Sequence, residues 1–359
     1  MHIKPKKHIA DLYRVGNSGF DRSLYLSLDK NENIIGFSKE VLQDFYELIS
    51  SDLICCYPDV SPLYEKLTEV LSLDHDQIYL SSGSDGAIKS IFEAYVEPGD
   101  EVFLVSPTYA MYYVYAQMFR ARLKEFVYDN RLFVDPENIV KKISPATKLV
   151  CIPNPNSSTG TVFSQNDLSQ IIEVAKENAS LVLIDEAYQQ FHGHTMMEFL
   201  QKYDNLLISR TFSKAMGLAS CRLGFVVSSK AIVENLFKVR PLYEVNSFAV
   251  SFGCYLLNHP EIIKDYLKQV AEGKDYLEKR VVELGFRVEE SHANFVLIHV
   301  GNKNRAEKIV DLLFEQKILI KGGFKENCLE PYIRVSLGSE AQMKIFVEKL
   351  SSVLDKISD

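Results

Sequence analysis

Between about residues 76 and 230, short β-rich apolar runs alternate with stretches of helical period. The runs predict strands at Gln77–Leu80, Glu101–Val105, Leu123–Val127, Lys148–Ile152, Leu181–Ile184, Leu206–Ser209 and Gly224–Val227. Helical patterns lie between them, as at Gly86–Tyr95 and at Gln165–Asn178, where Ser164 is placed to cap the helix. This alternation predicts an α/β fold with a mainly parallel central sheet covered on both faces. Leu181–Ile184 is apolar throughout, as a central strand buried from both sides requires. The last hundred or so residues change character. Helical segments near Glu261–Leu284 and Asn304–Gln316 are separated by strand-like Asn294–Val300, Ile318–Ile320 and Ile333–Ser336. They predict a smaller α+β domain on which the first 35 residues return to pack. The expected division is residues 36–250 for the large domain and 1–35 with 251–359 for the small one, with no Pro/Gly/Ser-rich linker between them.

A length of 359 residues supports this two-lobed picture, because it exceeds what one hydrophobic core usually organises. The net charge of −8 gives no reason to expect nucleic acid or an anionic membrane as partner. No apolar stretch follows the basic Met1–His8, and no run approaches the roughly 20 apolar residues that span a bilayer. A cytoplasmic protein is expected. The six cysteines form no C-x-x-C pair and read as buried free thiols. His192 and His194 flank Gly193, but with no third ligand at a useful spacing they read as a surface loop, and no metal is expected.

Open α/β sheets bind ligands beyond the carboxyl ends of their strands. Three polar segments occupy such positions. After the first strand, Ser81-Ser82-Gly83-Ser84-Asp85-Gly86 runs directly into a helix, either as an anion cup at its N-terminus or as a tight turn capped by Asp85. It lacks the Gly-Lys-Ser/Thr ending of a nucleotide P-loop. After Leu181–Ile184 comes Asp185-Glu186-Ala187-Tyr188. A carboxylate there needs a cation or hydrogen bonds, which a protonated pyridine nitrogen, a salt bridge or a cap would each supply. After Leu206–Ser209 comes Arg210-Thr211-Phe212-Ser213-Lys214, followed by Gly217 and Arg222. Lys214 is either a solvated lysine or an amine nucleophile, with Ser213 and Arg222 beside it as phosphate ligands. An anion cup, a carboxylate for a pyridinium and a lysine for an aldehyde together describe pyridoxal 5'-phosphate (PLP).

From Leu28 to Gly338 the chain resembles the fold-type-I aminotransferases, and among them the histidinol-phosphate aminotransferase group. The resemblance rests on Leu28-Asp29-Lys30-Asn31-Glu32-Asn33, Tyr57-Pro58-Asp59 and Ser106-Pro107-Thr108-Tyr109. It rests further on Asp185-Glu186-Ala187-Tyr188, Thr211-Phe212-Ser213-Lys214, Arg222-Leu223-Gly224-Phe225 and Ile333-Arg334-Val335-Ser336-Leu337-Gly338. It implies that Lys214 forms the Schiff base and serves as base for the proton shift. Asp185 would keep the pyridine nitrogen protonated, Tyr188 would bond the phenolic oxygen, and Tyr109 would stack on the ring. Gly83, Ser84, Asp85, Thr211, Ser213 and Arg222 would surround the cofactor, with Asn156 and Ser157 near its ring oxygen. Arg334 would bind the α-carboxylate of an amino donor, usually glutamate, and Lys321 the phosphate of the acceptor. Asn31, Tyr13 and Tyr243 would also face substrate. A homodimer is implied, each site being completed by Tyr57, and Tyr243, of the partner subunit.

Four departures bear on specificity. Ser157 stands where the group has the asparagine that bonds the phenolic oxygen, so that either Asn156 substitutes through a shifted loop or a water fills the gap. Gly86 replaces a usual glutamate, Lys321 a frequent arginine, and Ser220-Cys221 the usual Gly-Leu before the phosphate arginine. The expected activity is amino transfer between an amino acid and a small phosphorylated keto compound. One alternative is a three-carbon keto-phosphate such as dihydroxyacetone phosphate, giving an amino-alcohol phosphate for surface polysaccharide. Another is decarboxylation of an O-phospho-amino acid on the same scaffold.

Overall fold

The computed structural model of the chain describes residues 3–12 and 19–357. Tyr13 therefore lies outside the described residues. After a two-residue strand β1 (Leu26–Ser27), seven strands form one sheet: β2 (Ile78–Ser81), β3 (Glu101–Ser106), β4 (Arg122–Val127), β5 (Thr147–Pro153), β6 (Leu181–Asp185), β7 (Leu206–Thr211) and β8 (Gly224–Val227). Their spatial order is β2-β8-β7-β6-β5-β3-β4, and β8 alone runs antiparallel to its neighbours. The chain thus has the mainly parallel α/β sheet that its hydrophobic pattern predicts, with β6 at its centre.

The period-two geometry of a strand explains how one apolar run covers both faces. Val182 and Ile184 of β6 enter one core with Ile208, Ile152 and Leu168, while Leu183 points to the other core with Leu207, Leu104 and Ile88. The helix Gln165–Glu177 starts at Ser164 as expected, in a capping box with Asp167. The helix before β3 begins earlier than expected, at Gly83 rather than Gly86. Its cap position is Ser82, so Asp85 lies in the first turn and is not the cap.

A second sheet has the order β12-β10-β9, all antiparallel, from β9 (Arg287–Val288), β10 (Phe295–His299) and β12 (Tyr332–Ser336). Strand β11 (Ile318–Leu319) pairs in parallel with β1. Leu28 joins Val296, Ile298, Ile333, Val335 and Phe346 in the core of this part, so the N-terminal segment does return to it. The helix Ser247–Asn258 sends Ala249, Val250 and Leu256 into the core of the large sheet, and the expected division at residue 250 falls within it.

Two expectations need correcting. Of the six free cysteines, Cys151 and Cys328 are buried, but Cys55 and Cys56 are exposed, because the short helix Ser51–Cys55 buries none of its residues. The two histidines of the loop also do not stand alone. The ring of His192 lies 4.8 Å from those of both His194 and His292, and packing of the loop against the segment before β10 makes this contact. Among the described residues no group of side chains is arranged to hold a metal ion. Among them, too, no helix is long and apolar enough to cross a membrane.

Candidate active site

The carboxyl edge of the sheet collects the polar residues. Register places Asp185 opposite Pro153 and Ser209, and Gly224 opposite Ser81 and Thr211. Just beyond this edge lies a cavity of about 140 Å³ lined by Ser84, Asp85, Tyr109, Ser157, Asp185, Tyr188, Thr211, Ser213, Lys214 and Arg222.

Asp185 forms one wall and is only 4% exposed. Its Oδ1 accepts from Ser209 Oγ at 2.9 Å and its Oδ2 from the Tyr112 hydroxyl at 3.1 Å. Burial disfavours the charged form more than these donors favour it, and the carboxyl is pushed up to about 6. Lys214 stands opposite, three residues past the end of β7. Its Nζ donates to the backbone carbonyls of Lys30 and Asn31, each at 3.1 Å, and lies 5.6 Å from the centre of the Tyr188 ring.

Arg222 closes one end of the cavity. It leaves the short 3-10 turn Ala219–Cys221 with φ +56° and donates through Nη1 to the Ala219 carbonyl at 3.1 Å and to Ser213 Oγ at 3.5 Å. Two glycines let it approach the helix N-terminus. A Cβ on Gly83 would stand 2.8 Å from Arg222 Nη2, and one on Gly224 would stand 2.6 Å from Ser84 N. Thr211 Oγ1 accepts the Ser213 N–H at 3.1 Å and orders the turn that carries Ser213 and Lys214. Tyr109 precedes the helix Ala110–Met118 and meets Tyr112 edge-on at 6.4 Å; burial raises its hydroxyl well above the usual range.

The N-terminal segment contributes from the other side. Asn31 Nδ2 donates to the Tyr188 hydroxyl at 3.0 Å, and Asn294 Nδ2 donates to the Asn31 carbonyl at 3.1 Å. Ser157, and not Asn156, lines the cavity, so no shifted loop brings Asn156 to it. The Asn156 oxygen is bonded by the N–H groups of Ser158 and Thr159 in its own loop. Asn156 Nδ2 and Ser157 Oγ are buried without a partner.

Arg334 lies next to Ser157 and is 7% exposed. Its Nη1 and Nη2 donate to the carbonyls of Ser157 and Asp29, at 3.0 and 3.1 Å, and its Nε has no partner. The carboxylate of Asp29 is engaged elsewhere, with Arg22 at 2.6 Å. Lys321 is bridged to Arg334 through both backbones. Desolvation, and then repulsion by Arg334, lowers the lysine below its usual range. A buried arginine and a solvent-exposed lysine thus stand side by side, with Arg334 against the Ser157 that lines the cavity. Tyr57 and Tyr243 lie elsewhere. They stack on each other at 4.3 Å on the outer surface, 77% and 45% exposed, and do not line the cavity of their own chain.

Sequence reasoning missed Tyr112, Ser209, Ser336 and Asn294. Tyr112 could have been found, because it follows Tyr109 at the i, i+3 spacing of one helix face.

Comparison with known proteins now bears on this geometry. The family model for aminotransferase class I and II matches residues 50–350. The chain belongs to the class I and II aminotransferases. This aminotransferase is 31% identical over 335 residues to a histidinol-phosphate aminotransferase of Carboxydothermus hydrogenoformans, which covers 92% of this chain and 94% of that one. It is 30% identical over 321 residues to one from Clostridium novyi, 88% of each chain being covered. The solved histidinol-phosphate aminotransferase of Sinorhizobium meliloti, in complex with pyridoxal-5'-phosphate, superposes with a TM-score of 0.91 at 23% identity, covering 100% of this chain and 99% of that one. Aspartate aminotransferase from Thermus thermophilus with maleate superposes at 0.82 and 17% identity, covering 98% and 100%. The aminotransferase therefore has the type I fold of the PLP-dependent transferases, and PLP is its cofactor.

Proposed function

We propose that this aminotransferase carries an amino group from an amino acid, glutamate by preference, to a small phosphorylated keto compound at the cavity around Lys214. The residues fit the cofactor. The buried Asp185 has only hydroxyl and backbone donors, and a protonated pyridine nitrogen supplies the cation it lacks. Gly83, Ser84, Ser213 and Arg222 make a notch at a helix N-terminus, polar and open enough at Gly83 to suit a phosphate. When bound, PLP supplies the electron sink that makes the α-proton of an amino acid removable. Lys214 Nζ would hold the cofactor's aldehyde carbon and is placed to carry the proton. Tyr188 would donate to the phenolic oxygen and Tyr109 would cover a ring face.

The observation that carries the substrate reading is the adjacency of buried Arg334 and exposed Lys321, neither of which forms an ion pair among the described residues. Arg334 suits a carboxylate fork and Lys321 a phosphate. The names of the relatives point to imidazole-acetol phosphate as the first acceptor to test. A homodimer fits the exposed Tyr57–Tyr243 stack, and the reducing cytoplasm fits six free cysteines.

The experiment converts the enzyme to its pyridoxamine form and offers imidazole-acetol phosphate, dihydroxyacetone phosphate and the dephosphorylated counterpart of each. Loss of a charged hydrogen bond worth about 1.5–3 kcal/mol predicts that a phosphorylated ketone reacts about 10- to 200-fold more efficiently than its counterpart. Equal efficiency overturns the reading. An efficiency of about 10⁴ M⁻¹s⁻¹ or better with imidazole-acetol phosphate makes it the acceptor, whereas activity with the three-carbon ketone alone assigns the chain to that chemistry.

A further inference from the structure

Asn31 touches both groups on which the proposed chemistry depends, although it stands outside every strand and helix of the chain. It is 2% exposed and takes a left-handed backbone conformation, φ +56°. Its carbonyl accepts from Lys214 Nζ, and its side-chain amide bonds the Tyr188 hydroxyl.

The direction of that second bond follows from the neighbours. The backbone N–H of Asn31 donates to Ser336 Oγ at 2.9 Å, and Ser336 Oγ in turn donates to Asn31 Oδ1 at 3.0 Å. The oxygen end of the amide is therefore turned to Ser336 and the NH₂ end to Tyr188. A phenol that accepts from an NH₂ group keeps its own proton free for another acceptor. Tyr188 lines the cavity, so that proton is available there. Had the amide been reversed, its oxygen would have drawn the phenolic proton away from the cavity. On the opposite wall, Ser157 offers only a short hydroxyl, and the neighbouring Asn156 has its oxygen committed to its own loop.

We infer that Asn31 is a positioning residue that compels Tyr188 to donate its proton to the cofactor's phenolic oxygen, and so maintains the polarity of a site in which Ser157 offers a short donor. The inference rests on the proposed placement of PLP against Lys214, Asp185 and Tyr188. It adds a residue whose side chain acts on the cofactor only through another side chain, while its backbone carbonyl receives Lys214 Nζ.

The test uses the PLP-loaded enzyme and two variants. Asn31→Asp has nearly the same shape and replaces the donor facing Tyr188 with an acceptor. Asn31→Gly removes the amide, while glycine tolerates the positive φ and keeps the carbonyl that binds Lys214. The readout is the pH midpoint of the cofactor's visible absorption change, which reports the proton shared between the Lys214 nitrogen and the phenolic oxygen and rises with the basicity of that oxygen. Weakening one donor to that oxygen makes it more basic, so both variants are expected to move the midpoint up by about one pH unit, the size of one hydrogen bond to a charged group.

Tyr188→Phe should move it in the same direction. The double variant Asn31→Gly/Tyr188→Phe should move it no further than Tyr188→Phe alone, because Asn31 acts through that hydroxyl. Adding Ser157→Asn to Asn31→Gly should bring the midpoint back toward wild type. An unchanged midpoint in a folded, PLP-loaded Asn31→Gly variant overturns the inference, as do additive shifts in the double variant. A wild-type chain that shows no visible band with PLP would instead overturn the placement of the cofactor itself.

Discussion

Burial holds the Asp185 carboxyl near 6 although Ser209 and Tyr112 both donate to it, so the folded chain binds a proton there that the unfolded chain releases near 4. The consequence for stability has a definite sign. Between about pH 4 and pH 6 the folded cofactor-free protein holds more protons than the unfolded one, and its stability falls as pH rises through that window. Above it, ionised Asp185 costs on the order of 3 kcal/mol until a cation arrives. Asp185→Asn should therefore raise the melting temperature of the cofactor-free protein at pH 8, by several degrees, and lose that advantage below about pH 4. The same variant should bind PLP more weakly and lose most activity. Calorimetry at the two pH values checks the first part and a PLP titration the second. A lower melting temperature at pH 8 would contradict the account. Residues of this kind were legible in the sequence because they lie near strand ends: Lys214, Asp185, Tyr188 and Ser213 at or after one, and Arg222 just before β8. Ser209 was not, because its value depends on the register of β7 against β6, while Tyr112 was signalled only by its i, i+3 spacing to Tyr109.

Strands and helices set the tolerances of the phosphate notch. A Cβ on Gly224 would meet the Gly83 carbonyl carbon and Ser84 N at 2.6 Å and the Arg210 oxygen at 2.9 Å, all of them backbone atoms that cannot swing away. Gly224→Ala should therefore push β8 from the helix Gly83–Tyr95, destabilise the fold by about 1–3 kcal/mol and weaken PLP binding in parallel. Melting temperature and PLP affinity measured together check this; a variant that loses stability and retains full affinity would separate the notch from cofactor binding. Six of the seven strands of the large sheet were readable from apolar runs because each is buried on at least one face, whereas the edge strand β4 buries only Phe126. The start of the helix at Gly83 was not, because no side-chain cap marks it and its first residue has a positive φ.

The whole molecule carries an apolar surface that its own fold leaves uncovered. Ile54, Tyr57, Leu242 and Tyr243 are 62%, 77%, 79% and 45% exposed, and the two tyrosines lie parallel to within 6°. Surfaces of this kind mark association. A homodimer is the expected state, and Leu242→Asp should shift it toward monomer, as sedimentation equilibrium would show; an unchanged dimer would place the interface elsewhere. The return of the N-terminal segment to the small sheet has a separate consequence. Leu28 is fixed from both sides, its N–H bonded to the Leu319 carbonyl and its own carbonyl to the Ser336 N–H. Only Asp29 and Lys30 separate it from Asn31, whose amide and carbonyl are committed to Tyr188 and Lys214. One residue added or removed there would either unfasten Leu28 or present a neighbouring side chain to Tyr188. A change of length between Leu28 and Asn31 is therefore expected to disturb the site more than a change of side chain at Lys30 would.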